Sequence, residues 1–239
     1  MPSPEPILLA LDTSGDWASC ALFLGERRLA EREEKLGRNL SEKLLAIVEQ
    51  VLGEGHATLE DLWAIAVTTG PGSFTGLRVG LATVKGLSAA REGALPVVSV
   101  GTLEALAFGA KAQGLVAPSL DARNGILLAA LYECSGEPGP ARRIHEVEAP
   151  RVVGAGEWAR ALLERSAPVT FVGSGVGAQE SELRKNLHSH FHREEGAGHP
   201  HARWVGELGR RYFAEKKTVP AEDALPFYLQ AAEYKKMDS

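Results

Sequence analysis

Cysteine is scarce in this chain. There are two in 239 residues, Cys20 and Cys134, far apart and each inside an apolar stretch. They form no CxxC pair, which excludes a disulfide framework and a closed cysteine zinc site and agrees with a reducing compartment. Long apolar runs are missing too. The longest uninterrupted one is Ile126–Tyr132, far short of the ~20 residues of a membrane-spanning helix. The start, Met1-Pro-Ser-Pro-Glu-Pro, has no basic stretch followed by an apolar one. No secretion signal is therefore expected, and the cytoplasm is the expected compartment. Positive charge is not in excess either: 26 Lys and Arg stand against 31 Asp and Glu, a net charge of −5. Such a chain lacks the field of an autonomous nucleic-acid binder. No GxSxG nucleophile elbow, HExxH zinc helix or GxxxxGK[ST] loop occurs.

What is present is an ordinary globular composition, 44% hydrophobic and 24% charged, long enough for one large domain or two small ones. Ile7–Asp12 and Trp17–Leu24 read as buried strands joined by a tight Ser14-Gly15-Asp16 connection, and Arg27–Glu34 as a more polar strand nearer an edge. At Leu40–Leu52 the apolar period changes to three and four residues, which predicts an amphipathic helix closed by Gly53 and Gly55. Trp63–Thr69 is a strand, Phe74–Arg91 a helix, Pro96–Val100 a strand and Thr102–Gln113 a helix. The order then repeats. Leu115–Asp121, the Asn124-Gly125 turn signal and Ile126–Cys134 make a hairpin. Arg142–Val153 is extended, Ala155–Ser166 a helix, Pro168–Gly173 a strand and Gly175–Leu187 a helix.

The expectation is an α/β chain of two similar domains in βββαβα order. The first spans 1–110, joined by the C-terminal segment 218–239, and the second spans 111–217. Residues 188–201, which hold five of the seven histidines, are expected to form a solvated loop rather than a metal site. A last helix is expected at about His201–Lys217, then an apolar segment at Pro226-Phe-Tyr-Leu and a mobile tail at Lys235–Ser239.

Three motifs invite a chemical reading. A strand ending in Asp12-Thr13-Ser14 can aim turn amides at anionic oxygens and a carboxylate at Mg²⁺. Asp121 ends the corresponding strand of the second set. Two such hairpins, one per domain, follow the logic of the actin-like, sugar-kinase and Hsp70-ATPase superfamily. Asp and Ser also initiate turns with no ligand at all. Gly70-Pro-Gly-Ser-Phe-Thr-Gly-Leu-Arg looks like a phosphate loop but lacks the Lys-Ser/Thr pair. The helix N-terminus there can attract an anion; the reading preferred to that is a turn followed by a helix cap at Ser73 or Thr75, with Gly76 permitting close approach of another backbone. Gly173, Gly175 and Gly177 give GxGxG after a strand, not the dinucleotide GxGxxG, so Gly173 and Gly175 are weak nucleotide candidates. No complete catalytic constellation emerges and no metal site is expected. The helices at 40–52 and 74–91 carry a broad apolar surface. Either the two helices consume that surface between themselves, or it meets a partner, with Leu40, Leu44, Ile47, Val48, Val51, Phe74, Leu77, Arg78, Leu81 and Lys85 as the candidate partner interface.

Together these residues resemble the TsaB (YeaZ) family. The resemblance runs through Ile7-Leu-Leu-Ala-Leu-Asp-Thr-Ser, Arg38-Asn-Leu-Ser-Glu, Gly70-Pro-Gly-Ser-Phe-Thr-Gly-Leu-Arg, Val79-Gly-Leu-Ala-Thr-Val-Lys-Gly-Leu, Asp121-Ala-Arg-Asn-Gly and Pro226-Phe-Tyr-Leu-Gln. It is strong over 7–125 and thin over 135–215. It implies the duplicated actin-like fold and a role in forming threonylcarbamoyladenosine in tRNA. It also implies that the related protein TsaD performs the transfer, that this chain is the partner TsaD needs, and that the ATPase TsaE completes the assembly. Leu40 stands where the family often has His, and no histidine precedes His56. The expectation is a non-catalytic subunit with no cofactor of its own, ATP and Mg²⁺ belonging to the complex. It would pair with TsaD through the two helices, form a homodimer when alone, and meet tRNA only within the complex. The alternatives are a self-sufficient ATP-dependent enzyme of the sugar-kinase type, a peptidase, and a tRNA-binding module.

Overall fold

The structure, a computed structural model, describes residues 5–229. The expected tail at Lys235–Ser239 lies outside the described residues.

Two compact units emerge, one built from the chain through Ala105 together with Pro200–Phe227, the other centred on Leu106–His199. The first holds β1 (Ile7–Asp12), β2 (Trp17–Leu24), β3 (Arg27–Lys35), α1 (Leu40–Glu54), β4 (Leu62–Gly70), α2 (Phe74–Ala90) and β5 (Val97–Gly101). Its five strands lie in the order β3-β2-β1-β4-β5. β1 pairs antiparallel with β2 and parallel with β4, in a register that sets Asp12 opposite Ser19. The apolar run of β1 reflects helices on both sheet faces. Leu9 and Leu11 join the core under α1 and α2, while Leu8 and Ala66 lie beneath the opposite helix, the alternation a pleated strand imposes. β3 is the polar edge. Its charges are spent in ion pairs, Glu31 with Arg203 at 2.8 Å and Glu34 with Lys43 at 2.9 Å, and such a charged edge discourages strand addition.

α3 (Thr102–Gly109) follows β5 and is shorter than the 102–113 its composition suggested. Its last turn and the chain beyond it are held by residues of the second unit. The buried Arg142 donates to the carbonyls of Ala107 and Ala112 at 3.2 and 2.9 Å, and the Glu194 carboxylate accepts from the Lys111 and Ala112 amides.

The second unit holds β6 (Gly114–Asp121), β7 (Ile126–Ser135), β8 (Arg143–Gly154), α4 (Ala155–Leu163), β9 (Val169–Val172), α5 (Ser174–Leu187) and β10 (Phe191–Arg193). Its strand order, β8-β7-β6-β9-β10, and its parallel and antiparallel pairings repeat those of the first unit. Each unit thus carries the same α/β arrangement, the duplication expected from the order of elements in the sequence. Asn124 and Gly125, at φ 53° and 78°, are the central residues of the β6–β7 turn, closed by the Ile126 amide on the Arg123 carbonyl at 3.0 Å. Positive φ at both positions is what this turn type demands.

Two expectations are corrected. Residues 188–201 are not a continuous loop: Phe191–Arg193 is the parallel partner of β9, anchored by Phe191 against Phe171 at 5.2 Å between ring centroids. A short turn at His188–His190 precedes it. Charged flanks hid one buried aromatic. The last helix, α6 (Ala202–Ala214), packs on β1, β2, β4 and β5 of the first unit rather than closing the second domain. Gly206 and Gly209 allow it: an added Cβ would stand 2.1 Å from Phe23 and 2.4 Å from Ala66.

Candidate functional site

The end of β1 and the start of α2 form one tightly fitted seat. Asp12 is fully buried. Its Oδ1 accepts from Thr68 Oγ1 at 2.7 Å and from the Ser14 amide at 3.3 Å. Its Oδ2 and the buried Ser14 Oγ have no partner among the described residues. Burial pushes the Asp12 carboxyl up to about 6; the hydrogen bonds from Thr68 and Ser14 and the charge of His201 work the other way. Thr13, also buried, donates through Oγ1 to the Gly76 carbonyl at 2.8 Å.

α2 enters this turn on three glycines. A Cβ at Gly72 would lie 2.5 Å from the Ser14 carbonyl oxygen, at Gly76 2.1 Å from that of Thr13, and at Gly80 2.2 Å from Thr13 Oγ1. Their four-residue spacing sets Gly76 and Gly80 on one helix face, with Gly72 in line just before it. Ser73 is the cap: its Oγ accepts from the Gly76 amide at 3.1 Å, and its own amide donates to the Ser14 carbonyl at 2.8 Å. The Ser73 and Gly76 amides at the start of α2 are thus spent on protein oxygens. Of these glycines the sequence singled out only Gly76 for close approach. The G-x-x-x-G-x-x-x-G spacing at 72, 76 and 80 was the signal for the rest.

The glycine before the loop serves another neighbour. A Cβ at Gly70 would stand 2.2 Å from the Phe227 carbonyl oxygen, and the Phe227 amide donates to Thr69 O at 2.7 Å. The apolar segment at Pro226-Phe-Tyr-Leu therefore lies along the end of β4, where the Gly70-Pro71 bond is cis.

The second unit repeats the device. Asp121 is exposed, and its Oδ1 accepts from the Arg123 amide at 2.9 Å, a turn-initiating bond. Gly173, at φ 101°, would press a Cβ to 2.4 Å from the Ser119 carbonyl, and Gly175 to 2.7 Å from Leu127. Gly173 and Gly175 thus seat α5 on the end of β6.

The candidate interface needs a larger correction. Leu40, Leu44, Ile47, Val48, Val51 and Leu81 are buried in the first unit's own core, and Leu77 is fully buried as well. The two helices consume their broad apolar stripe on the sheet and on each other. Of the ten residues only Phe74 and Arg78 are exposed, the Arg78 guanidinium resting 3.8 Å over the Phe74 ring. Lys85 is half-buried and donates to the Glu222 carbonyl at 3.0 Å. The outward faces carry Leu45, 50% exposed, and Phe74, 55% exposed. Around them are small residues, Thr75, Ala82, Gly86 and Ala89. Burial pushes the Cys20 and Cys134 thiols up, so neither is a poised nucleophile.

Comparison with known proteins gives this geometry its context. A family model described as "TsaD: tRNA N6-adenosine threonylcarbamoyltransferase" matches residues 33–141. The tRNA threonylcarbamoyladenosine biosynthesis protein TsaB of Escherichia coli is 30% identical, with 93% of this chain and 94% of that protein covered. Its counterpart in Bacillus subtilis is 29% identical, with 95% of each chain covered. The crystal structure of an uncharacterized Pseudomonas aeruginosa protein with similarity to peptidase YeaZ superposes with a TM-score of 0.80 at 29% identity, over 94% of this chain and all of that one. YeaZ from the same organism gives 0.75 at the same identity and coverage. Near-complete coverage in sequence and a shared fold converge on one assignment: the chain belongs to the TsaB (YeaZ) family of tRNA threonylcarbamoyladenosine biosynthesis proteins.

Proposed function

We propose that this protein acts in forming threonylcarbamoyladenosine on tRNA as a non-catalytic subunit that docks on TsaD, with TsaE completing the assembly. The observation that carries the reading is the filled seat. The Asp12–Ser14 turn, where a kinase of this architecture would hold phosphate, is occupied by the backbone of Gly72–Gly76. With that turn closed, the outward faces of α1 and α2 become the working surface. Small side chains there permit close helix approach, and Leu45 and Phe74 offer exposed apolar area. Burial at ~25 cal/mol per Å² drives such docking against the cost of ordering two bodies. The same face would make a homodimer when TsaD is absent. ATP and Mg²⁺ would enter through the complex, tRNA would be met only there, and the cytoplasm is the place of action. Among the described residues no helix is long and apolar enough to cross a membrane.

Co-expression with TsaD tests the reading. The expected results are a co-purifying complex by mass measurement and modified nucleoside formed only when this chain is present. Leu45→Glu and Ala82→Glu should fold and lose the complex. Stoichiometric ATP·Mg²⁺ turnover by the isolated chain, abolished in Asp12→Ala, would replace this reading with a self-sufficient ATP-dependent enzyme.

A further inference from the structure

Asp12 is a fully buried carboxyl that the docking reading leaves without a role. Its surroundings are hydroxyls, amides and glycines. β4 presents Thr68, β2 presents Ser19 opposite it, and α2 presents Gly76 and Gly80 across Thr13. Among the described residues, the charge-capable group acting on it is His201, at the start of α6, itself held 2.6 Å from Glu33 of β3. Ionised, the carboxyl places charge on an Oδ2 that no described donor meets, away from water. Neutral, it fits without that cost.

The same turn carries α2. Thr13 and Ser14 supply the oxygens that Gly72, Gly76 and Gly80 press against, and Ser14 O takes the Ser73 amide. A force that opens the turn toward solvent therefore frees the first turns of the helix. We propose that Asp12 is a proton-operated latch on the amino-terminal seat of α2. In its neutral form the turn closes on the three glycines. In its ionised form the turn opens toward water more often, and the start of α2 loosens with it. Burial places the transition near pH 6, just below neutrality. The consequence for partner binding, tighter docking on acidification, rests on the docking reading; the latch itself does not.

Amide hydrogen exchange of the full chain tests it. After correction for intrinsic rates, opening at the amides of Leu77–Leu81 should rise roughly 60-fold from pH 4 to pH 8, as the carboxyl moves between an ordinary value of 3.8 and about 6. Asp12→Asn should abolish that rise. Thr68→Val, which removes the donor to Oδ1, should move the transition to higher pH. An unchanged rise in Asp12→Asn overturns the latch. So does carbon NMR of the unaltered chain showing Asp12 titrating with ordinary aspartates, and that measurement decides even if the variant fails to fold. Exchange that responds as expected in a chain that fails to associate with TsaD at any pH upholds the latch and removes the docking reading instead.

Discussion

Gly76 and Gly86 lie on the same helix and should answer an added methyl in opposite ways. At Gly76 the new Cβ would stand 2.1 Å from a backbone carbonyl oxygen that cannot swing aside, whereas at Gly86 nothing lies within 4 Å. Gly76→Ala is expected to cost ~2 kcal/mol or more, as overpacking does. Gly86→Ala should stabilise by about 0.5–1 kcal/mol, because Ala loses less backbone freedom in a helix. Urea unfolding of both variants checks the pair, and equal effects would contradict the seat. Asp12 adds a pH dependence at the same scale. Its folded-state pKa of about 6 exceeds the ordinary 3.8, so between them the folded chain holds a proton that the unfolded chain has released. Stability should fall as pH rises through this window, by about 2 kcal/mol from pH 4 to pH 8. The difference between unaltered chain and Asp12→Asn in thermal melts across that range isolates the contribution.

At the scale of elements, α1 shows why periodicity alone misplaced the interface. Leu44 and Leu45 are neighbours in sequence, yet Leu44 is 1% exposed and Leu45 50%. A 3.6-residue period marks the stripe that leaves water, but not whether a sheet or a partner receives it. Leu44→Glu buries an unpaired charge in the core and should unfold the first unit. Leu45→Glu should leave circular dichroism and melting within ~0.5 kcal/mol of the parent while abolishing TsaD co-purification. Folding of Leu44→Glu would refute the core assignment; survival of the complex in Leu45→Glu would refute the docking face. β10 gives the converse lesson. His-Ser-His-Phe-His-Arg-Glu-Glu reads as a loop by composition, and one strand emerges because Phe191 has Phe171 to pack against. Phe191→Ala should cost about 3–5 kcal/mol, as truncating a buried aromatic does.

For the whole molecule, the placement of α6 decides what can be removed. It lies after the second unit in the chain but covers the first sheet. A chain ending at His199 would strip Leu8, Phe23 and Ala66 of their cover. Such a truncation is expected to aggregate rather than leave a folded first unit, and solubility with native-like near-UV dichroism would count against this packing.

The sequence by itself determined the strands and helices other than β10, their order, its repetition and the family. Each is written in local periodicity, turn chemistry and motif spacing, which need no knowledge of distant neighbours. The seat's residues were legible, Asp12 through Ser14 and the Gly70–Gly76 loop, but their role was not. Only tertiary structure decided that α2's glycines fill the turn, that Leu44 and Leu81 face inward, and that α6 returns to the first sheet. Those outcomes hang on which surfaces meet across long stretches of chain. Burial is a property of that meeting, since a leucine carries the same side chain whether a sheet or a partner covers it.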